Sequence, residues 1–480
     1  MKQFSILLFL GISNFITAQT FENIDAVLPN VELAITAFAD FDNDGDLDLY
    51  LSGSSSDVDD TNEGGLYIYD SGAYTLSTIS NLPVLHLGAA RWGDIDNDGD
   101  LDILLQGTNY DFGAFTDLFI NNADGTFTAL EIPFPQTYQG EADLSDVNND
   151  GFIDVAIAGY DPSDTYITTI YKNNGDTSFT ELSGMASIPG LVYGRIAFAD
   201  YNNDNYSDFI LSGLNSGDFY VYLFTNNQDE TFTKETGIPF FQCWLGDTAW
   251  ADYNNDGNID LLISGTGGSG TERHSILYKN NGDGSFTDSN ADLPGVSHSA
   301  LKWADFDNDG DLDILITGIE TSGNSIYSIY NNEGSDVFTE STTAVLNIAN
   351  WGDADVGDID GDGKIDLVIS GYNPDVSAGR STVYKNTTST TGIDHLNLDQ
   401  IVQIFPNPAI DKKITINYTS SDSDSATKEI IIYNLAGVKV FQKEILNTTS
   451  QLNLSFLKSG IYLMKLKSNN KIMSKKLILK

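Results

Sequence analysis

A chain of 480 residues with 69 acidic and 23 basic side chains carries a formal charge of −46, which repels nucleic acid and anionic membranes and argues against any DNA- or RNA-binding role. Its 41% hydrophobic and 11% aromatic content is too rich for a disordered acidic chain, so the acids must be accommodated on a folded body. The length exceeds what one core serves and predicts several domains or a repeat architecture.

At the N-terminus Met1-Lys2-Gln3 brings a positive charge, an apolar run extends from Phe4 to Ile16, and Ile16-Thr17-Ala18 is a small-residue cleavage signal before Gln19. Residues 1–18 are expected to be a signal peptide. The run falls short of the ~20 apolar residues of a spanning helix, and no later segment is expected to span. A single cysteine, Cys243, leaves an exported chain without an intramolecular disulfide and reads as a small buried hydrophobe.

From residue 19 to 390 the chain repeats. The pattern D-x-[DN]-x-D-[GN]-x-x-D starts at Asp40, Asp94, Asp146, Asp200, Asp252, Asp305 and Asp358, at intervals of 52 to 54 residues. Each loop is followed by an apolar strand ending in Gly, as in Leu49 to Gly53 and Leu261 to Gly265. A second strand then closes on a Tyr-x-Asn-Asn or related sequence (Tyr171 to Asn174, Tyr278 to Asn281, Tyr330 to Asn332), with hairpin turn residues and Phe-Thr after it. A further strand precedes each loop, ending in Phe38-Ala39, Trp92-Gly93 or Trp303-Ala304. Four short strands per unit is the content of a propeller blade. The seventh unit lacks its Phe-Thr strand, and Gln19-Thr20-Phe21-Glu22-Asn23 resembles it. Residues 19–27 are therefore expected to complete the last blade and close the ring, which removes exposed edges. The expected fold class is all-β: a seven-bladed β-propeller with calcium loops, followed by a small β-sandwich-like C-terminal domain. An open β-solenoid is the alternative, although its coils are usually shorter.

Carboxylates at alternating positions of a tight loop converge on one point, as a hard cation taking six to eight oxygen ligands requires. Calcium is the natural occupant, with up to seven Ca2+ ions. The candidate ligands are Asp40, Asp42, Asp44, Asp46 and Asp48 in the first loop, and Asp94, Asp96, Asp98, Asp100 and Asp102 in the second. The third, fourth and fifth loops offer Asp146, Asn148, Asp150, Phe152 and Asp154; Asp200, Asn202, Asp204, Tyr206 and Asp208; and Asp252, Asn254, Asp256, Asn258 and Asp260. The sixth has Asp305, Asp307, Asp309, Asp311 and Asp313, and the seventh Asp358, Asp360, Asp362, Lys364 and Asp366. Positions 1, 5 and 9 are always Asp, and position 3 is Asp or Asn. Position 7 varies freely, as expected where only a backbone carbonyl contributes. An EF-hand would need a Glu at position 12, where these loops carry Leu or Ile. Without metal the clustered charges would repel one another, so ion binding is expected to be linked to folding.

These loops resemble the calcium loops of FG-GAP and VCBS repeats, the family that includes the integrin α-subunit propeller, and the resemblance covers roughly residues 19–390. The fourth loop departs from it, with Asn205 where Gly is usual and Ser207 where Leu or Ile is usual. Asn tolerates the left-handed backbone, so the loop can still form.

From Ile393 the composition shifts toward Lys, Ile and Leu and the period is lost, so residues 391–480 are expected to form a separate domain after a linker at Thr387 to Thr391. With Phe405-Pro406-Asn407-Pro408-Ala409, Ser459-Gly460-Ile461-Tyr462 and Lys475-Lys476-Leu477, it resembles the type A sorting domain of the type IX secretion system. That resemblance implies a Gram-negative host, the type IX secretion machinery as a partner, and delivery outside the cell or onto the outer-membrane surface. A small β-sandwich binding module fits the strand pattern as well.

Two functions fit such a chain: a binding or adhesion module for an extracellular glycan or protein, and an extracellular polysaccharide-degrading lyase or hydrolase. A catalytic site should break the symmetry of the repeats. Eight residues before the loops stand Glu32, His86, Tyr138, Val192, Trp244, Ser297 and Asn350, with Tyr193, His298 and Trp351 beside them. These positions enter the inner strand on the face opposite the metal loops. His86, Tyr138, Tyr193, Trp244, His298 and Trp351 are the candidate ligand residues, and Arg91, Glu141, Arg195, Asp247, Lys302 and Asp353 are placed near a central channel. No catalytic acid and base stand out. The expectation is a monomeric, secreted or surface-bound, calcium-binding propeller that binds rather than cleaves.

Overall fold

The computed structural model describes residues 19–388 apart from 56–60, 110–112, 131, 269 and 347–349, and beyond them 402–405, 409, 412–418, 428–434, 439–445, 449–458, 460–468 and 471–480. The expected signal peptide and Pro406-Asn407-Pro408 lie outside the described residues. Two compact units divide the chain, one ending at Ser389 and the other beginning at Thr390.

In the first unit the apolar runs after the loops become strands buried on both faces, because a neighbouring sheet packs on each side. Leu49 to Leu51, Ile103 to Leu105 and Leu261 to Ile263 are all at most 1% exposed. Each run is the second strand of an antiparallel sheet. The inner strands are Val31–Ala39, His86–Gly93, Tyr138–Ser145, Ile196–Ala199, Cys243–Trp244 with Thr248–Ala251, Val296–Ala304 and Asn350–Gly357. Short outer strands such as Phe127–Ala129, Phe179–Glu181 and Phe338–Glu340 finish the blades.

The seventh sheet takes its outer strand from Phe21–Asn23. Phe21 pairs with Asn386 in the register in which Phe127 pairs with Asn121 and Phe286 with Asn280. Asn350–Gly357 lies against Val31–Ala39, so the seven four-stranded blades form a closed ring. Hydrogen bonds tie adjacent inner strands together. The Phe38 N–H donates to Asp355 at 2.8 Å, and the indoles of Trp92, Trp250 and Trp303 donate to the carbonyls of Ala37, Ala197 and Ala249 in the preceding blades.

In the second unit Val402–Phe405, Lys413–Tyr418 and Thr449–Asn453 form one sheet, and Lys428–Asn434, Lys439–Ile445, Gly460–Ser468 and Lys471–Leu479 form another. Ile414, Ile416 and Leu452 of the first share a core with Ile430, Ile432, Met464 and Leu477 of the second, which makes a small β-sandwich.

Candidate metal centres and ligand face

Each acidic loop joins the inner strand to the second strand, so all seven lie at one end of the ring. The position 1 carboxylate folds the loop by accepting the position 6 N–H, with distances from 2.8 Å at Asp146, Asp200 and Asp358 to 3.2 Å at Asp40 and Asp94. That turn requires positive φ at position 6. Gly supplies it six times, and Asn205 supplies it in the fourth loop at φ 69°. The fourth loop therefore closes as the others do.

In the first, second, sixth and seventh loops three carboxylate oxygens lie within 4.8 Å of one another: Asp40, Asp42 and Asp44; Asp94, Asp96 and Asp102; Asp305, Asp307 and Asp313; Asp358, Asp360 and Asp366. Asn148, Asn202 and Asn254 stand at position 3 in the other three. Oδ1 of Asp40, Asp94 and Asp360 and Oδ2 of Asp48 and Asp208 are shielded from solvent with no hydrogen-bond partner. Carboxylate oxygens left that way are costly, and either a proton or a cation would relieve them.

Burial first, and neighbouring acids after it, push the position 9 carboxyls up: Asp48 and Asp313 to about 8, Asp154, Asp208, Asp260 and Asp366 to about 7, and Asp102 to about 6. An all-oxygen, multiply charged donor set of this kind fits a hard divalent ion. Side chains at positions 1, 3, 5 and 9 and the position 7 carbonyl would hold it.

A second set of residues, treated as turn chemistry in the sequence, ties the loops to the blades. Asn121, Asn173, Asn226, Asn280, Asn332 and Asn386 end the third strands, and each donates its backbone N–H to the position 9 Asp of its own blade at 2.6 to 2.9 Å. Each Nδ2 reaches a carbonyl in the preceding blade's loop (Phe41, Ile95, Val147, Tyr201, Tyr253 and Phe306 in turn) and a second one in its own loop. Their recurrence 18 to 20 residues after position 9 was the available signal. The first blade has Tyr69 there, and the Tyr74 hydroxyl and the Leu47 N–H make the corresponding bonds. Asn43, Asn97, Asn149, Asn203 and Asn255 at position 4 reach across to the next loop in the ring.

Lysines enter two of the loops. Lys279 Nζ lies 3.1 Å from Asp256, and Lys385 contacts Asp360 and, at 3.5 Å, Asp362, with Lys364 also 3.8 Å from Asp362.

The opposite end of the ring is built differently. Leu33, Leu87, Gln139, Tyr193, Leu245, His298 and Trp351, one per blade, all have φ between 49° and 52°. Such left-handed geometry costs about 1–2 kcal/mol at a residue with a side chain and persists only where the surroundings impose it. The next residue is Gly in five blades, because a Cβ there would meet a second-strand carbonyl oxygen at 1.8 to 2.0 Å. The N–H groups of Tyr193, Leu245 and His298 donate to the carbonyls of Gln139, Tyr193 and Leu245, linking neighbouring blades around the mouth of the channel.

Those seven side chains line a cavity of about 170 Å³, with Glu141, Arg195 and Asp353 beneath. Arg91 bonds Glu141 at 2.5 Å, and Arg195 contacts Glu141 and, at 2.8 Å, Asp247. Lys302 lies 3.6 Å from Asp355.

Of the candidate ligand residues, Tyr193, His298 and Trp351 meet at this mouth. The His298 and Trp351 rings stack at 4.0 Å, Trp351 is 45% exposed, and burial pushes the His298 imidazole down to about 4, which keeps it neutral. Tyr138 and Trp244 stand farther out, and the Tyr138 hydroxyl donates to Asp164 at 2.7 Å. His86 is buried and takes no part in the surface of the mouth. Cys243 is buried, and burial pushes its thiol up to about 12.

A closed all-β ring with an acidic loop in every blade, followed by a separate sandwich, defines a repeat propeller with a C-terminal β domain. The FG-GAP-like repeat family matches residues 40–105, 146–211, 200–263, 252–316 and 305–369, and the chain belongs to it. The secretion system C-terminal sorting domain matches residues 403–480, so the chain is handled by the type IX secretion machinery and exported to the cell surface or beyond. Among the described residues no helix is long and apolar enough to cross a membrane.

Cartilage acidic protein 1 of Xenopus tropicalis is 25% identical over 414 residues, covering 76% of this chain and 60% of that protein. Its Homo sapiens counterpart is 25% identical over 211 residues, covering 41% and 31%. The chain thus spans no more than about 60% of the length of these curated relatives. A crystal structure titled A. japonicus CB05 aligns over 97% of this chain and 91% of that one, at 9% identity and a TM-score of 0.27, and carries no argument.

Proposed function

We propose that residues 1–18 are a signal peptide, that residues 19–390 are a calcium-dependent propeller, and that residues 391–480 direct its export. In this reading the propeller binds an extracellular glycan or protein on the face opposite the loops. The observation that carries it is the set of solvent-shielded carboxylate oxygens without partners in the loops. A bound calcium ion would supply the positive charge they lack. Because the same loops accept the Asn side chains of adjacent blades, ion binding would stiffen the whole ring and hold the mouth in its strained geometry. Beneath the mouth Glu141 and Asp247 are engaged by Arg91 and Arg195, and Asp353 accepts the backbone N–H groups of Thr36 and Ala354, which favours binding over acid–base cleavage.

Metal analysis of the purified mature chain should find calcium, up to seven ions per chain. Labelled protein should bind members of a panel of extracellular glycans and proteins in calcium and lose them in chelator. A metal-free chain of full stability, or binding indifferent to chelator, would contradict the reading.

A further inference from the structure

The aromatic residues on the ligand face are not scattered. Tyr138 and Tyr160 have ring centroids 5.7 Å apart, Tyr160 and Tyr166 4.9 Å, and Tyr160 and Tyr193 6.3 Å. Tyr193 then meets Trp244 at 5.8 Å, and Trp244 lies 5.6 Å from Phe219 with ring planes only 4° apart. Six half-buried rings thus form one row from the third blade across the fourth to the fifth, and Tyr193 joins it to the channel mouth.

The repeat supplies its own control. Tyr166 is paired with Tyr160, and the equivalent pairs are Ala114 with Thr108 in the second blade, Ser325 with Ile319 in the sixth and Asn62 with Ser54 in the first. Tyr138 and Trp244 occupy the position that is Ser297 in the sixth blade and Asn350 in the seventh. These blades fold with Ala, Ser, Thr, Asn or Ile at these places, so the fold does not require rings there. A partly exposed aromatic row that folding does not need marks a contact surface.

The polar groups around the row narrow the ligand. Segments 158–166, 213–220 and 241–248 contain Asp161, Asp164, Asp218 and Asp247 and no Lys or Arg. Arg195 at the mouth is engaged by Glu141 and Asp247, and Arg273, across the second strand from Trp244, bonds the Glu320 carbonyl of the next blade. Carboxylates and phenol hydroxyls suit the hydroxyl groups of a sugar, and aromatic faces suit the apolar C–H faces of its ring. Asp161, Asp164 and Asp218, which make no ion pair among the described residues, repel uronate or sulfate groups. The rings branch at Tyr160, which meets Tyr138, Tyr166 and Tyr193, and from there to Phe219 the set is one ring wide, which suits a linear chain better than the broad patch a protein interface uses.

The geometry points to a stacking track for an uncharged polysaccharide, running along Tyr138, Tyr160, Tyr166, Tyr193, Trp244 and Phe219. This deepens the binding reading above and rests on it.

The test is calorimetric titration of the full mature chain in calcium with neutral hexasaccharides (cello-, laminari- and manno-) and with oligogalacturonate and alginate oligomers. Trp244→Ser and Tyr166→Ser are the informative variants, because the sixth blade already carries Ser at both places. At least one neutral hexasaccharide should bind, weakened on the order of tenfold in each variant, with the melting temperature unchanged. Preference for an anionic oligomer overturns the track. So does a neutral ligand held equally well by both variants, although that result leaves the exported binder standing. Failure of every glycan and every protein in the panel overturns the binding reading itself.

Discussion

The two ends of the ring are made from the same seven repeats, yet one end is nearly sevenfold symmetric and the other is not. At the loop end, positions 1, 5 and 9 are Asp in every blade, and position 1 closes each loop by accepting the position 6 N–H. At the mouth only the backbone is shared: seven residues sit at φ near 50°, and their side chains range from Leu to Gln to Trp. Repetition thus records a structural demand, and loss of repetition marks where the chain is free to specialise.

The largest effect should come from removing the charge balance at the symmetric end. Chelation should lower the melting temperature of the mature chain by about ten degrees or more, because several sites each contribute ligand-linked stability. Calorimetry that finds equal melting temperatures in calcium and in chelator would show that the loops are not a metal framework.

Replacing a fastening asparagine sharpens the comparison by separating the blade-to-blade bonds from the ion. Asn332→Ala leaves the carbonyls of Tyr253 and Leu312 without its Nδ2 and should cost about 2–3 kcal/mol in calcium and in chelator alike. Asp309→Ala should be destabilising in calcium and nearly silent in chelator. Denaturant unfolding of both variants under both conditions checks the contrast, and a calcium-dependent effect of Asn332→Ala would merge the two roles.

How legible each end was in the sequence follows from the same difference. The acidic-loop pattern, the seven-blade count and the Phe21 closing strand could be read because identical demands leave identical residues. The left-handed ring could not, since Leu33, Gln139 and Trp351 share no side-chain chemistry and their geometry is imposed by neighbouring blades. Only the following Gly, present in five copies, pointed to it. The Asn fasteners were visible as a recurring residue, but their role depends on a carbonyl about 80 residues away, across a blade boundary. The row of rings joins residues from three blades, and no spacing along the chain announces it.

The pH dependence should also flatten with metal. In the chelated chain the position 9 carboxyls stand above their unfolded range, so the folded state holds extra protons, and stability should fall as pH rises from about 5 toward 8. In calcium the ion replaces those protons, neither state titrates there, and stability should be nearly constant over the same interval. Melting curves at several pH values in both conditions test this, and a chelated protein that gains stability toward pH 8 would refute it.

The smallest expected effect concerns inequality within the symmetric end. The first, second and sixth loops carry five Asp with no lysine in contact, whereas Lys385 and Lys364 approach the acids of the seventh loop and Lys279 those of the fifth. An ammonium beside the position 3 or position 5 carboxylate competes with the cation for the same charge. The fifth and seventh loops should therefore fill last in a calcium titration. Lys385→Met removes one competitor at a partly exposed site, where an ion pair is worth about 0.2–1 kcal/mol, so calcium affinity of the seventh loop should rise only a few-fold. Luminescence titration with a lanthanide probe should show one late-filling site move earlier in the variant. If that site instead weakens, Lys385 is part of the framework that holds the loop, and the loops are less alike than their sequences.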